Sequence, residues 1–177
     1  MPPLAYNLIH AVLWQAAWFA AVLGAAHGLP WLGPAATVPV LALHLWQHRC
    51  DRDRGWAMPL IALGLGLAID SLLGQVAGLR MARGDGTWAA WATPWMGSLW
   101  ILFATALGAS LSWLRQRQAL AAGLGAIAGP LAYYGGARLG ALTIDGWPTL
   151  VAIGVAWAVA LPILLAFSRY SSRRTHA

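Results

Sequence analysis

An all-α polytopic membrane protein is the fold this sequence predicts, with six transmembrane helices in three outward hairpins forming one domain over residues 1–177. Three observations carry that expectation. Of the 177 residues, 60% are apolar and 9% charged, against roughly 45–50% and about 25% in an ordinary soluble domain. Six apolar segments are long enough to approach the span of a hydrocarbon core about 30 Å thick, which takes roughly 17–25 helical residues. The arginines fall in alternate connections. The same composition excludes other classes: a disordered chain lacks this apolar mass, a disulfide scaffold needs more than the single Cys50, and a nucleic-acid binder needs a solvated basic face. All 11 basic residues are Arg and all 5 acidic ones are Asp, a bias that suits a GC-rich genome better than it suits any chemistry.

The spans follow in order. The first covers 4–26; its N-terminal side, MPPLAYN, carries no basic residue and the apolar run exceeds that of a secretory signal, so it is expected to be retained. The second, 33–48, is short, and either starts back near Trp31 or sits upright in a thin region. The third, 56–79, contains Asp70. The fourth, 94–114, opens on Pro94, which loses no needed hydrogen bond there, with Thr93 as the expected cap. The fifth, 118–137, is rich in glycine, and the sixth, 147–168, opens on Trp147-Pro148. The outer turns repeat a motif, Pro30-Trp31-Leu32-Gly33 and Pro94-Trp95-Met96-Gly97. Trp88, Trp91 and Trp95 fall at i, i+3 and i+7, which predicts a short helix in the outer leaflet or an interfacial loop.

Orientation comes from the arginines, because short cytoplasmic loops are enriched in them. Arg49, Arg52, Arg54, Arg115, Arg117, Arg169, Arg173 and Arg174 lie on one side, and Arg80, Arg83 and Arg138 on the other. This places both termini in the cytoplasm of a multi-pass membrane protein. The net charge of +6 is then topology, and no nucleic-acid partner is expected.

A charge at the bilayer centre costs about 2.5–3.5 kcal/mol on insertion scales, so an intramembrane acid is a candidate site by default. Asp70 is such an acid. Ala62, Gly66, Asp70, Gly74 and Ala77 share one helical face, and small residues mark close helix contacts. Asp70 is read as a hydrogen-bonded structural acid, a proton-transferring or catalytic group, or half of an ion pair. In span five Ala122, Gly125, Gly129, Tyr133 and Gly136 form a second small face, expected to pack on span three and bring Tyr133 level with Asp70. Span four adds Gly97, Ile101, Thr105, Gly108 and Ser112, so spans three to five are expected to pack tightly. Arg138 and Arg80, at outer helix ends, are expected to bind lipid headgroups. His10 in span one and His44 and His48 in span two gather near the inner side beside Cys50 and Asp51. Interface histidines and helix–helix hydrogen bonds are the reading preferred there, with a metal or haem site on His10, His44 and His48 as the alternative. No cofactor follows from the sequence.

The segments WQAAWFAAVLGAAHGLPWLG, LAIDSLLGQVAGLRM, LWILFATALGASLSWLR and GPLAYYGGARLGA together resemble a bacterial inner-membrane family, the domain of unknown function 2878, over nearly the whole chain. The resemblance implies a multi-span inner-membrane protein without an assigned activity and, through relatives beside fatty-acyl-modifying enzymes, points toward lipid work. Two functional readings follow. One is an accessory protein of membrane-lipid or fatty-acyl modification, with membrane lipids and other membrane or lipid-modifying proteins as partners. The other is a lipid-modifying intramembrane enzyme using Asp70 and Tyr133. A proton-coupled carrier is disfavoured, because one midplane acid without a charged partner makes a poor pathway. A lipid-open cavity walled by Asp70 and Tyr133 favours the enzyme, whereas burial of both between helices excludes it.

The arginine asymmetry predicts that reporters fused after Ala177 and within 83–93 give cytoplasmic and periplasmic signals respectively. The reverse pattern overturns the orientation.

Overall fold

The computed structural model describes residues 3–49, 52–108 and 111–173. Six α-helices run in the order α1 (Pro3–Ala26), α2 (Leu32–Gln47), α3 (Arg52–Val76), α4 (Pro94–Gly108), α5 (Gln118–Arg138) and α6 (Trp147–Arg173). A 3-10 turn, Ser112–Gln116, joins α4 to α5. Three short strands, β1 (Leu79–Ala82), β2 (Trp88–Ala89) and β3 (Leu142–Ile144), form an antiparallel sheet of order β2-β1-β3 at one end of the bundle.

Three helices contain stretches long and apolar enough to cross a membrane, Ala5–Ala26, Gly55–Val76 and Trp147–Ser168. Helices α2 and α4, with 16 and 15 residues, are shorter than the roughly 17–25 a bilayer core takes. Consecutive helices pair, α1 on α2, α3 on α4 and α5 on α6, and α4 packs against α1, α2, α3 and α6. Side-chain hydrogen bonds tie α1 to α4: the Trp14 indole donates to the Leu102 carbonyl at 2.8 Å.

Several expected boundaries move: the third helix already begins at Arg52 and the sixth runs on to Arg173. Span three stops at Val76, because Gly78 adopts φ +74°, a left-handed conformation that closes a helix cheaply only at glycine. Leu79 is therefore the first residue of β1. A Cβ on Gly78 would also collide with the Asp145 carboxylate. Span four stops at Gly108, and the 3-10 turn takes up part of its expected end.

The short helix expected from the spacing of Trp88, Trp91 and Trp95 does not form before α4; Trp88 and Trp91 are exposed on a strand and the loop after it. Trp88 lies in β2 and faces Ala82 across a hairpin, Met81 facing Ala89. Its turn is Gly84-Asp85-Gly86, with both glycines at positive φ, as a tight hairpin requires. Asp85 accepts from the Thr87 hydroxyl at 2.5 Å and the Thr87 amide at 2.9 Å, and these bonds hold its carboxyl below the usual carboxylate range. On the other side of β1, β3 pairs from Leu79↔Ile144 to Met81↔Leu142. Leu79, Met81 and Leu142 are buried with Val22, Trp95 and Ile153, so the sheet closes that end of the core.

The small face of α3 is buried, with Ala62, Gly66, Asp70 and Gly74 all inside. Its partners correct the expected packing of span five on span three. A Cβ on Gly66 would strike the Trp100 indole of α4, and one on Gly74 the Ala90 carbonyl. The small face of α5 instead meets α6: a Cβ on Gly125 would run into the Trp157 carbonyl, and one on Gly129 would sit 2.5 Å from the Trp157 ring.

These contacts predict that Gly66→Leu and Gly129→Leu lower the melting temperature of the detergent-solubilised protein, overpacking costing about 1–3 kcal/mol or more. Gly64→Leu and Gly123→Leu, where an added side chain meets open space, should leave it unchanged or raised, since glycine is a poor helix former. Equal melting across the four variants would contradict this packing.

Candidate functional site

Asp70 is 0% exposed. One carboxyl oxygen accepts from the Trp100 indole at 2.7 Å and the other from the Tyr133 hydroxyl at 2.5 Å. No cation lies within salt-bridge distance among the described residues, so the two donors satisfy the acid between them. The structure thus brings together the two residues singled out as an acid/base pair, by a route other than helix contact: the tyrosine, on α5, reaches across to α3.

Trp100 escaped the sequence reading, and so did the aromatic cluster around it. Its indole stacks on that of Trp157, centroids 4.6 Å apart and planes 13° from parallel. Phe103 and Tyr133 meet Trp157 edge-on at 4.9 and 6.5 Å. Offset stacked and edge-to-face pairs are the favourable aromatic arrangements. The Trp157 indole nitrogen is buried without a hydrogen-bond partner among the described residues.

Beside this cluster lies a cleft of about 360 Å³. Because α5 packs chiefly on α6, the space between α5 and the pair α1/α4 stays unfilled and partly open. Trp14 and Trp18 of α1, Leu99 and Phe103 of α4, and Ala128 and Ala132 of α5 contribute to its almost wholly apolar wall, together with Trp157. Tyr133 and Trp100 are on that wall, and Asp70 is behind them. Both candidate groups are buried, Tyr133 at 6% exposure along the cleft wall and Asp70 at 0% behind it.

The remaining candidates lie apart. His10 donates to the Thr105 hydroxyl at 3.0 Å, which in turn donates to the Leu102 carbonyl at 2.7 Å. His44 donates to the Gly55 carbonyl at 3.2 Å, and His48 to the His44 carbonyl at 2.9 Å. The rings of His44 and His48 are 4.4 Å apart, but no group of three metal-ligating side chains forms among the described residues. Cys50 and Asp51 lie outside the described residues. Arg80 donates to the Gly74 carbonyl at 2.6 Å, satisfying an orphan acceptor near the end of α3. Arg138 is exposed in the last turn of α5.

A family model described as "Protein of unknown function (DUF2878)" matches residues 7–163. No curated protein and no solved structure matches the chain.

The donor set around Asp70 predicts distinct effects for two substitutions. Asp70→Asn should keep the fold, since its carbonyl accepts from Trp100 while its amide donates to a reversed Tyr133 hydroxyl. Asp70→Leu strands both donors, each orphaned group costing about 1–3 kcal/mol, and should lower the melting temperature by several degrees. Equal melting of the two variants would show that the bonds contribute nothing.

Proposed function

The chain belongs to the DUF2878 family, and from that premise we propose that it is an inner-membrane protein that holds one acyl chain of a membrane lipid in its lateral cleft. In this reading it acts as an accessory to lipid or fatty-acyl modification. All six helices cross or enter the membrane, and the arginine asymmetry puts the sheet end at the outer surface. The observation that carries the reading is the apolar cleft between α1/α4 and α5. Its volume of about 360 Å³ falls within the range of small-molecule sites, roughly 300–1,000 Å³, and at the depth of the spans the medium at its mouth is acyl chains. A chain leaving the bilayer for such a cleft gains little from the hydrophobic effect, because lipid tails are already apolar. Shape and the flat aromatic walls then select what is held.

A second reading, a lipid-modifying enzyme, has one observation in its favour: Tyr133 lines the cleft, and its hydroxyl is bonded to Asp70. Headgroup binding by Arg80 and Arg138 belongs to either reading, although Arg80 is already engaged at Gly74.

Native mass spectrometry of the protein in mild detergent should find co-purified lipid, lost from folded Ala128→Trp and Ala132→Trp variants that fill the cleft. Retention of the same lipid in both variants overturns the acyl-chain reading. In a deletion strain, Tyr133→Phe should restore the lipid profile as wild type does. A folded Tyr133→Phe protein that fails to restore it promotes the enzyme.

A further inference from the structure

We infer that the lipid held in the lateral cleft is an anionic glycerophospholipid of the arginine-rich leaflet, with one acyl chain pointing toward the sheet and its phosphate beside Arg117. The inference rests on the acyl-chain reading and adds to it a direction and a headgroup.

The direction follows from the two ends of the cleft. Along α5 it runs from Leu124 to Gly136, a rise of about 18 Å at 1.5 Å per residue, which exceeds one leaflet of a hydrocarbon core about 30 Å thick. At the sheet end its lining includes Val22, Trp95, Met96, Tyr133 and Leu142, all buried in the core cluster that the sheet closes. That end is blind. Away from it the wall opens: Leu124, Ala128 and Ala132 are exposed along α5, and Leu111 is half-buried just before the 3-10 turn. A lipid chain therefore lies with its methyl end toward the sheet, because a headgroup at the blind end would be buried among apolar side chains at high cost. The exposed edge of α5 leaves the second chain in the bilayer.

The charge of the headgroup follows from what stands at the other end. Leu111 and Leu114 line the cleft there. The Leu114 amide donates to the Leu111 carbonyl at 3.0 Å, and the Arg117 amide to the Leu114 carbonyl at 2.9 Å. Bonds between residues three apart set those residues above one another along the turn, so Arg117 comes one turn beyond Leu114, past the apolar row. Its side chain is exposed, with the guanidinium 5.8 Å from the centre of the Trp113 ring. Trp113 is itself exposed, as tryptophans at headgroup depth are. Arg115, half-buried, puts a second positive charge on the same turn. Two guanidinium groups beyond an apolar channel complement a phosphate carried on a hydrocarbon chain, and the planar fork of arginine matches phosphate oxygens.

The test titrates the full chain in neutral detergent with phosphatidylglycerol and with phosphatidylcholine of the same chains, reading the melting temperature. Phosphatidylglycerol should half-saturate at about a tenfold lower concentration, the size of one charge-assisted hydrogen bond. Arg117→Gln should erase that preference and leave both the phosphatidylcholine titration and the ligand-free melting temperature unchanged, since the side chain is exposed. Folded Ala128→Trp or Ala132→Trp protein should respond to neither lipid. Phosphatidylglycerol with a photoactivatable diazirine at the chain terminus should label Met96 or Leu142, and with the diazirine next to the glycerol it should label Leu111 or Leu114. Equal affinity for the two lipids, or a preference that survives Arg117→Gln, overturns the headgroup, while silence of the tryptophan variants keeps the acyl-chain reading standing. Labels in the reverse order overturn the direction. Titrations that the tryptophan variants leave unaltered bring down the acyl-chain reading and this inference with it.

Discussion

A carboxyl group enclosed in an apolar bundle needs a donor for each oxygen, and Asp70 obtains them from two helices other than its own. Meeting that requirement shapes what surrounds it. The Trp100 indole lies close over α3 because residue 66 has no side chain, and Trp157 lies close over α5 because residue 129 has none. With both rings admitted, they stack on each other, and Tyr133 extends past Trp157 to the acid. The glycines, the aromatic cluster and the hydrogen bonds form one arrangement, in which each part has room only because the others are placed as they are.

That arrangement also explains why a cleft exists. Helix α5 is drawn against α6 by Gly125 and Gly129 and is joined to α3 through a long phenol, so it never closes on α1 or α4. The unfilled space is lined by the same rings that satisfy the acid. The cleft wall and the hydrogen bonds to the acid therefore share Trp100 and Tyr133, and any occupant would press on the donors before it met the carboxyl.

Much of this was legible in the sequence. Asp70 stood out because charge is expensive inside a membrane, its small-residue face because close contacts need small side chains, and Tyr133 because its helical depth matched. The partners were harder to read. Small faces say that something approaches closely and not what, so the glycines of α5 were matched to α3 when their neighbour is Trp157. Trp100 and Trp157 went unread because tryptophan in such a chain is first taken for an interface or lipid-facing residue. The hairpin carried a signal in Gly84-Asp85-Gly86, but its strands are too short to show alternation, and Trp88, Trp91 and Trp95 mimic helical spacing. Thr93 has the residue type of a cap at the right place, yet its hydroxyl makes no hydrogen bond among the described residues.

The order of synthesis gives the Asp70 cluster a further consequence. The acid is made 30 residues before Trp100 and 63 before Tyr133, so α3 leaves the ribosome without the groups that will satisfy it. Insertion of α3 has to tolerate an unpartnered carboxyl until α4 arrives with the first donor and α5 with the second. Its flanking leucines and isoleucines carry that interval, and native pairing of this hairpin with the rest of the bundle becomes a late step in biogenesis, completed only when most of the chain has been translated.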